Sequence, residues 1–275
     1  MLDAYDSLDP DVIDLHIQQS VEAGIDAWII SWWGVETEFQ IILERIAALN
    51  SPLKVTAYYE QIPGCIGIFC REMSSIEKID AASKDIVKLL EMFSSDPAWL
   101  TVENEPVLFI YSRALTQGLL GQGISIWDEI LQRVETTYPV YISGDADMTF
   151  LWGIVPKAFD QIHMYNPTFQ SHLFGKWTLD YKGLCKIGHN RGQACALPVI
   201  PGYDDSALPS RDEIIINRDN GNVYKLFWEK AKQGGADWIL ITSFNEWHEG
   251  TEIEPSLEYG NMYLNATAIH SKSFK

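Results

Sequence analysis

The sequence has few basic residues and no long apolar run. Its 275 residues include 20 Lys and Arg against 38 Asp and Glu, which gives a formal net charge of −18. Nucleic-acid phosphates and anionic membrane surfaces bind clusters of Lys and Arg, so this composition argues against both partners and favours a neutral or cationic ligand. No stretch approaches the ~20 apolar residues of a membrane helix, and no membrane segment is expected.

Cysteine is also scarce, with four residues in two pairs. Cys65 and Cys70 are five residues apart, and Cys185 and Cys195 are ten apart, in segments that we expect to be loops. Two local disulfides in an oxidising compartment fit this spacing, and four free thiols fit it nearly as well. The compartment stays unknown: the secretory pathway, the periplasm or the extracellular space is favoured, yet the first residues lack the features of a signal peptide.

Neither a metal nor another cofactor is expected. Structural zinc sites are typically marked by closely spaced cysteine pairs, and no C-x-x-C pair is present. Asp145 and Asp147 lie close together in the sequence, but two such aspartates are more typical of a turn in which their side chains bind the backbone.

The pattern of apolar residues predicts one domain, residues 1–275, in which strands and helices alternate. No flexible linker divides the chain, and a hydrophobic content of 47% allows a large core. Strands are predicted at residues 27–32, 54–60, 106–111, 140–145, 159–166, 197–204 and 238–244. Helices are predicted at residues 10–24, 37–49, 75–93, 126–134 and 223–232. Short apolar strands separated by helices are typical of a parallel sheet.

Seven such strands predict an α/β fold, specifically a (β/α)8 TIM barrel that lacks its first strand in this chain. Residue 1 comes just before a predicted helix, so we expect the barrel to be N-terminally truncated. The alternative is an open doubly wound sheet, but no glycine-rich phosphate fingerprint follows an early strand. In a barrel, the C-terminal ends of the strands share one mouth. The residues expected there are Trp32, Glu60, Tyr111, Asp145, Tyr165, Tyr203 and Glu246.

Two carboxylates follow the last predicted strand. Residues 245–250 read Asn-Glu-Trp-His-Glu-Gly, which places Glu246 and Glu249 three residues apart. Cleavage of a glycosidic bond needs a proton donor for the leaving oxygen and a second group that acts at the anomeric carbon. The pair can supply both, with His248 either tuning a carboxylate or serving as a hydrogen-bonding scaffold. The alternative is a solvated turn with two ordinary surface glutamates.

The segment around these glutamates resembles the signature of glycoside hydrolase family 99, the endo-α-mannosidases. Its residues 243–254 read Ser-Phe-Asn-Glu-Trp-His-Glu-Gly-Thr-Glu-Ile-Glu, and residues 5–7, His16, 23–26, 31–34, 201–205 and 217–221 resemble further parts of that family in the same order. The resemblance implies a (β/α)8 barrel that cleaves α-1,2-linked mannosides internally and with retention. It also implies that Glu246 deprotonates the 2-hydroxyl of the sugar to form a 1,2-anhydro intermediate, while Glu249 is the acid and base.

The same resemblance implies roles for residues that bind the sugar. Tyr165 should lie near the reacting carbon, Trp32 should line a donor-side subsite, Glu60 should bind hydroxyls and Arg218 should close the cleft. The remaining residues expected to bind substrate are Trp33, Tyr111, Tyr203, Asn245, Trp247 and His248. For Trp32 and Tyr165 the alternative is a place in the core, for Glu60 a solvated strand end, and for Arg218 an ordinary surface position.

The expected partner is a mannose-containing oligosaccharide or glycan, bound by a monomer. Two other functions stay open at this point. A related barrel hydrolase could act on another polysaccharide, or the chain could be a carbohydrate-binding protein whose catalytic site has decayed. The presence of both Glu246 and Glu249 argues against decay.

Overall fold

The structure, a computed structural model, describes residues 5–118, 125–146, 155–168, 180–209 and 214–275. Its centre is a curled sheet in which seven parallel strands are neighbours in the order β1-β2-β4-β5-β6-β7-β10. These strands are Ala27–Trp32 (β1), Lys54–Tyr59 (β2), Glu105–Ile110 (β4), Tyr141–Asp145 (β5), Gln161–His163 (β6), Ala194–Val199 (β7) and Trp238–Ile241 (β10). Thr101–Val102 (β3) pairs antiparallel with β4, and Tyr203–Asp204 (β8) forms a small hairpin with Ile215–Ile216 (β9).

Helices lie between most of the strands, as the connections of a parallel sheet require. They are Pro10–Glu22 (α1), Glu36–Ala48 (α2), Ser75–Phe93 (α3), Ser112–Gln117 (α4), Trp127–Glu135 (α5), Tyr181–Asn190 (α6), Asn222–Gly234 (α7) and Met262–Phe274 (α8). In the described part of the chain, none of these helices combines the length and the apolar character that crossing a bilayer demands.

The helix ends show why these segments are helical. Asp9 accepts a hydrogen bond from the backbone of Asp11 and precedes Pro10, whose fixed φ suits a first turn. Ser74 and Glu77 form a capping box at the start of α3, in which each side chain accepts from the backbone N–H of the other residue. The boundaries predicted for α3, residues 75–93, are confirmed.

The two faces of the sheet have different contents. The outer face packs against the helices through a large apolar core that includes Val55, Leu108 and Ile142. The inner face holds a separate apolar cluster of Tyr58, Val107 and Phe109, joined by Trp238 and Leu240 from β10. A parallel sheet with both faces covered is typical of α/β barrels.

The sheet has a seam between β1 and β10. Within the described ranges, no strand pairs with the outer edge of β1 or with that of β10. Side chains bridge this seam instead, because the Trp28 ring lies 6.1 Å from the Phe244 ring and the His16 ring lies 5.0 Å from it. Outside the sheet, Ser271 on α8 donates to the backbone oxygen of Ala23 after α1, which links the two helices.

Most predicted elements are confirmed, and three predictions need correction. Cys185 and Cys195 lie in α6 and β7 rather than in loops. The segment predicted as one strand at 197–204 is divided into β7 and the hairpin strand β8. The strand predicted at 159–166 is limited to Gln161–His163. Helices α4, α6 and α8 have no counterpart among the predicted elements. Asp147 lies outside the described residues, whereas Asp145 ends β5.

Candidate active site

Glu246 and Glu249 lie in a short segment that follows β10 and is fixed by its own backbone. Ser243 accepts a hydrogen bond from the Glu246 N–H at 2.8 Å, and its hydroxyl shares another with Thr251 at 2.8 Å. The backbone N–H of Ser243 donates to the oxygen of Thr251, so the segment closes on itself. A single 3-10 turn, Trp247–Glu249, carries the second carboxylate.

Gly250 ends this turn for a conformational reason. Its φ is +58°, in the left-handed region that glycine adopts without steric cost. A β-carbon at this position would also lie 3.1 Å from the backbone nitrogen of Asp204, on hairpin strand β8. The glycine that closes the Asn-Glu-Trp-His-Glu-Gly motif therefore lets the turn pack against the hairpin.

Tyr165 is the residue around which the predicted site residues meet. Burial raises the pKa of Tyr165 well above that of a free phenol, and the negative charges of Glu249 and Glu246 raise it further. Smaller contributions to the same pKa come from Tyr111 and Glu60. Residues from the ends of β2, β4, β6 and β10 thus lie close enough to interact at one mouth, and the Tyr165 hydroxyl stays protonated at neutral pH.

Aromatic rings and a buried polar network contact Tyr165. The rings of Tyr58, Tyr111 and Tyr165 contact one another, with centroid distances of 5.3, 5.9 and 6.0 Å. Tyr58 donates to Asp145 at 3.0 Å, and Asp145 accepts from the backbone N–H of Tyr165 at 3.3 Å. Burial lowers the pKa of His163, which also contacts the Tyr58 hydroxyl, to about 3, so this histidine is neutral.

Glu60 lies at the end of β2 within a second polar group. Ser31 donates to its carboxylate at 2.7 Å. Burial raises the pKa of Glu60, and the hydrogen bond from Ser31 and the positive charge of Arg113 offset this only in part. Arg113 lies over the rings of Trp33 and Tyr111, at 5.5 and 5.8 Å from their centroids. Because 51% of Trp33 is exposed, one aromatic surface here is open to a ligand.

Three further predicted residues flank the carboxylates. Asn245 and His248 are exposed, and 40% of Trp247 is accessible. Trp247 is nevertheless fixed, because its indole N–H donates to Glu254 at 3.0 Å. Asn245 donates to the hydroxyl of Tyr5 at 3.4 Å.

The side chain of Trp32 lies on the helix side of the sheet and not at the mouth, where we expected it. Its side chain is 2% exposed, packs against Phe39 and Phe93 on the helix side of the sheet, and donates its indole N–H to Asp85 at 3.1 Å. Successive residues of a strand point to opposite faces. Because Ser31 points to Glu60, Trp32 must point away from it.

Tyr203 and Arg218 are also buried in the wall behind the turn rather than exposed in a cleft. The Tyr203 hydroxyl donates to Asp205 at 3.2 Å. Arg218, at 8% exposure, donates to the backbone oxygens of Gly250 and Glu252 and forms a salt bridge with the Glu252 carboxylate. Its guanidinium carbon lies 4.6 and 4.7 Å from the ring centroids of Tyr259 and Tyr263. Arg218 therefore anchors the segment that follows Glu249.

The residues that our sequence analysis missed are Tyr58, Arg113 and Glu254. Tyr58 precedes the end of β2 by one position, and only its alternation with Tyr59 could have indicated an inward direction. Arg113 follows Tyr111 at the end of β4, where a basic residue among aromatic ones was a usable signal. Glu254 lies in the motif itself, but nothing in its pattern separates it from Glu252.

The potential for metal binding is limited in the part of the chain that the structure describes. The one group of three His, Cys, Asp or Glu residues with ligand atoms close together is Cys65, Cys70 and Glu72. Cys65 and Cys70 form a disulfide, as do Cys185 and Cys195. A disulfide offers no thiolate to a metal ion.

Comparison with known proteins relates the chain to one family. The model of a family described as glycosyl hydrolase family 99 matches residues 1–265. Glycoprotein endo-alpha-1,2-mannosidase of Rattus norvegicus is 25% identical over 290 residues, covering 96% of this chain and 58% of that protein. The Mus musculus protein of the same description is 26% identical, with the same coverage of both chains. The chain thus spans under two thirds of the length of these relatives. The GH99 endo-alpha-mannosidase structure from Bacteroides thetaiotaomicron shares the fold, with a TM-score of 0.75 and 23% identity, covering 98% of this chain and 81% of that one.

Proposed function

The chain belongs to glycosyl hydrolase family 99, and we propose that it is a retaining, endo-acting hydrolase of α-1,2-linked mannosides. The observation that carries this proposal is the position of Glu246 and Glu249 in the turn that follows β10, next to Tyr165, whose backbone oxygen accepts a hydrogen bond from Thr242 at 2.5 Å. Two carboxylates that reach one point can divide the proton transfers of glycoside cleavage between them. The linkage is supported by the printed names of the rat and mouse relatives.

In the proposed mechanism, Glu246 is the base of the first step. Its carboxylate removes the proton from the 2-hydroxyl of the mannoside, and the resulting oxygen attacks the anomeric carbon. The bond to the leaving oxygen breaks as Glu249 donates a proton to it, which gives a 1,2-anhydro sugar. Glu249 then takes a proton from water that attacks the anomeric carbon, while Glu246 returns its proton to the 2-oxygen. Two inversions at one carbon give net retention.

Tyr165 suits the place next to the reacting carbon. Because its pKa is raised by burial and by the two glutamates, its phenol remains a hydrogen-bond donor throughout the neutral pH range. We propose that the exposed faces of Trp33 and Trp247 pack on sugar rings and that Tyr111 and Glu60 contact hydroxyls. Asn245 and His248 complete the proposed set beside the carboxylates.

The roles of the two glutamates are tested with Glu249→Gln and Glu246→Gln on two α-1,2-linked mannosyl substrates, one natural and one with an activated leaving group. An activated leaving group needs no protonation. Glu249→Gln should therefore lose kcat by at least about 1,000-fold on the natural substrate and far less on the activated one. Glu246→Gln should lose kcat on both, and Glu44→Gln, an exposed change on α2, should lose none.

Product analysis distinguishes the other functions. Release of a mannose-containing disaccharide with its α-configuration kept, followed by NMR, supports the proposal. Cleavage only of another polysaccharide would mean that the fold and carboxylates serve a different substrate. Tight binding of mannosides without turnover in the unmodified protein would mean that the catalytic site has decayed. Greater activity of Glu246→Gln than of Glu249→Gln on the activated substrate would reverse the two roles.

A further inference from the structure

Glu254 is a buried carboxylate that binds three side chains from different parts of the chain. Its exposure is 3%, and it accepts hydrogen bonds from His16 at 2.9 Å, from Tyr5 at 2.7 Å and from Trp247 at 3.0 Å. Burial acts to raise the pKa of Glu254, but the hydrogen bonds from these three donors and the electrostatic attraction of His16 together outweigh it and leave the pKa lowered. Buried carboxylates are stable only when such donors satisfy their oxygens.

The bonds of Glu254 reach both neighbours of Glu246. Trp247, on one side, donates to Glu254 directly. Asn245, on the other side, donates to the hydroxyl of Tyr5, which in turn donates to Glu254. The side chains on both sides of Glu246 are thus linked to Glu254, that of Trp247 directly and that of Asn245 through Tyr5. Glu249 is held differently, through the bond from Arg218 to the oxygen of Gly250.

We propose that Glu254 is a positioning residue for the reaction, which holds the Glu246 carboxylate in its productive place through Trp247 and through Tyr5 and Asn245. This inference rests on the proposed function, since it assigns Glu254 to the step in which Glu246 acts as base. Misplacement of a reacting group by about 1 Å costs roughly 100-fold in rate. Loss of the anchor should therefore lower kcat far more than it changes KM, because Trp33 and Glu60, which are also proposed to bind the sugar, lie on other strand ends.

The anchor can be removed in graded steps. Glu254→Leu removes all acceptors at similar volume, and we expect kcat to fall roughly 100-fold with KM within about twofold of the unmodified value. Glu254→Gln keeps one oxygen, which can still accept from Tyr5 and Trp247, so it should restore most of the lost kcat. Tyr5→Phe removes only the bridge to Asn245 and should lower kcat about tenfold, as expected for the loss of one hydrogen bond to a charged group.

A matched control exists elsewhere in the fold. Asp85 also accepts the indole N–H of a tryptophan, Trp32, but it lies on the helix side of the sheet and away from the carboxylates. Asp85→Asn should lower thermal stability and leave kcat unchanged. Comparison of the two variants at equal folded fractions separates positioning from loss of stability.

A second measurement does not depend on turnover. In protein labelled with 5-fluorotryptophan, the ¹⁹F signal of Trp247 is identified by its loss in Trp247→Phe. We expect this signal to shift or broaden in Glu254→Leu and to stay unchanged in Asp85→Asn. The inference is overturned if Glu254→Leu folds and leaves either this signal or kcat as Asp85→Asn does. If the unmodified protein cleaves no mannoside, the proposed function fails, while the NMR result still reports whether Glu254 holds Trp247.

Discussion

At the scale of single residues, the site combines carboxylates in different environments. Glu254 is buried with three donors, which lower its pKa, and Glu60 is buried with one donor and a nearby guanidinium, which leave its pKa raised. The difference follows from the hydrogen bonds and nearby charges that stabilise the charged form, which are more numerous at Glu254. Glu254 is therefore ionised throughout the neutral range and suits a structural anchor, whereas Glu60 changes its charge closer to neutrality.

The raised pKa of Glu60 predicts a specific pH dependence. Its ionised form, which accepts sugar hydroxyls most strongly, is present above that pKa and is lost as the pH falls through it. The acid side of the kcat/KM profile should therefore lie at higher pH than a free glutamate would give. In Glu60→Gln this limb should move to lower pH, and kcat/KM at the optimum should fall about 10- to 100-fold, the value of a charge-assisted hydrogen bond.

Profiles of kcat/KM against pH, recorded on an α-1,2-linked mannosyl substrate, check this. Glu44→Gln serves as the control, because it removes an equal charge from the exposed face of α2. An acid limb that is identical in Glu60→Gln and in the unmodified protein would show that Glu60 does not titrate in the working range.

The sequence could predict several residues of the site, but it could not predict the direction in which each side chain points. Glu246, Glu249 and Tyr165 could be singled out because a rare motif and a strand end mark them. Trp32 and Trp33 are neighbours with equal chemistry, and only the register of β1 decides that Trp32 is buried and Trp33 is exposed. A shift of one residue exchanges the two faces of a strand. Arg218 was missed as an anchor because its partners, the oxygens of Gly250 and Glu252, are backbone atoms.

At the scale of elements, alternation of apolar strands and helices predicted most of the sheet. The β1 range, 27–32, agrees with the structure because its apolar run is bounded by charged and glycine-rich segments. The hairpin of β8 and β9 could not be predicted, since its strands have two residues each and depend on contact with the turn that carries Glu249. Cysteine spacing left the disulfides open, because spacing does not show whether the backbone brings two thiols together.

The disulfide between Cys185 and Cys195 should be the more stabilising of the two. It joins α6 to β7 across ten residues, whereas Cys65 and Cys70 are five residues apart. Because the entropy removed from the unfolded chain grows with loop length, replacing Cys185 and Cys195 by Ala should lower the free energy of unfolding by about 3 kcal/mol. Replacing Cys65 and Cys70 is the control and should cost about 2 kcal/mol or less.

Urea unfolding of the two double variants measures this difference. The disulfide between Cys65 and Cys70 closes a loop that follows β2. Its loss also lets this loop move in the folded state, which offsets part of the lost free energy of unfolding. An equal or larger loss for the Cys65 and Cys70 variant would mean that native contacts around that loop, rather than chain entropy, dominate its contribution.

At the scale of the whole molecule, the described residues form a sheet whose two outer strands, β1 and β10, face each other across a seam. Helices α1 and α8 meet on the outside of the seam. Among the residues that the structure describes, the rings of Trp28, His16 and Phe244 bridge it, and no strand pairs across it. Glu254 joins residues from both sides of the same seam, since His16 belongs to α1 and Trp247 follows β10. Glu254, which anchors the active-site turn, therefore also links the segments next to the two outer strands of the sheet.

Hydrogen exchange should reveal the seam directly. Amides on the outer edges of β1 and β10 face no strand in the described part of the chain, whereas β4 and β5 have strands on both sides. An amide without a ladder partner exchanges through small local fluctuations, while a central amide exchanges only through larger opening. In peptides that cover residues 27–32 and 238–241, the amides that face the outer edge should therefore exchange fast. Peptides that cover residues 105–110 and 141–145 should stay protected. Glu254→Leu should increase exchange in residues 27–32 and 238–241 without affecting residues 105–110 and 141–145. The substitution removes the link across the seam and leaves the central strands paired. Equal protection of all four segments would mean that the edges of β1 and β10 are covered in solution.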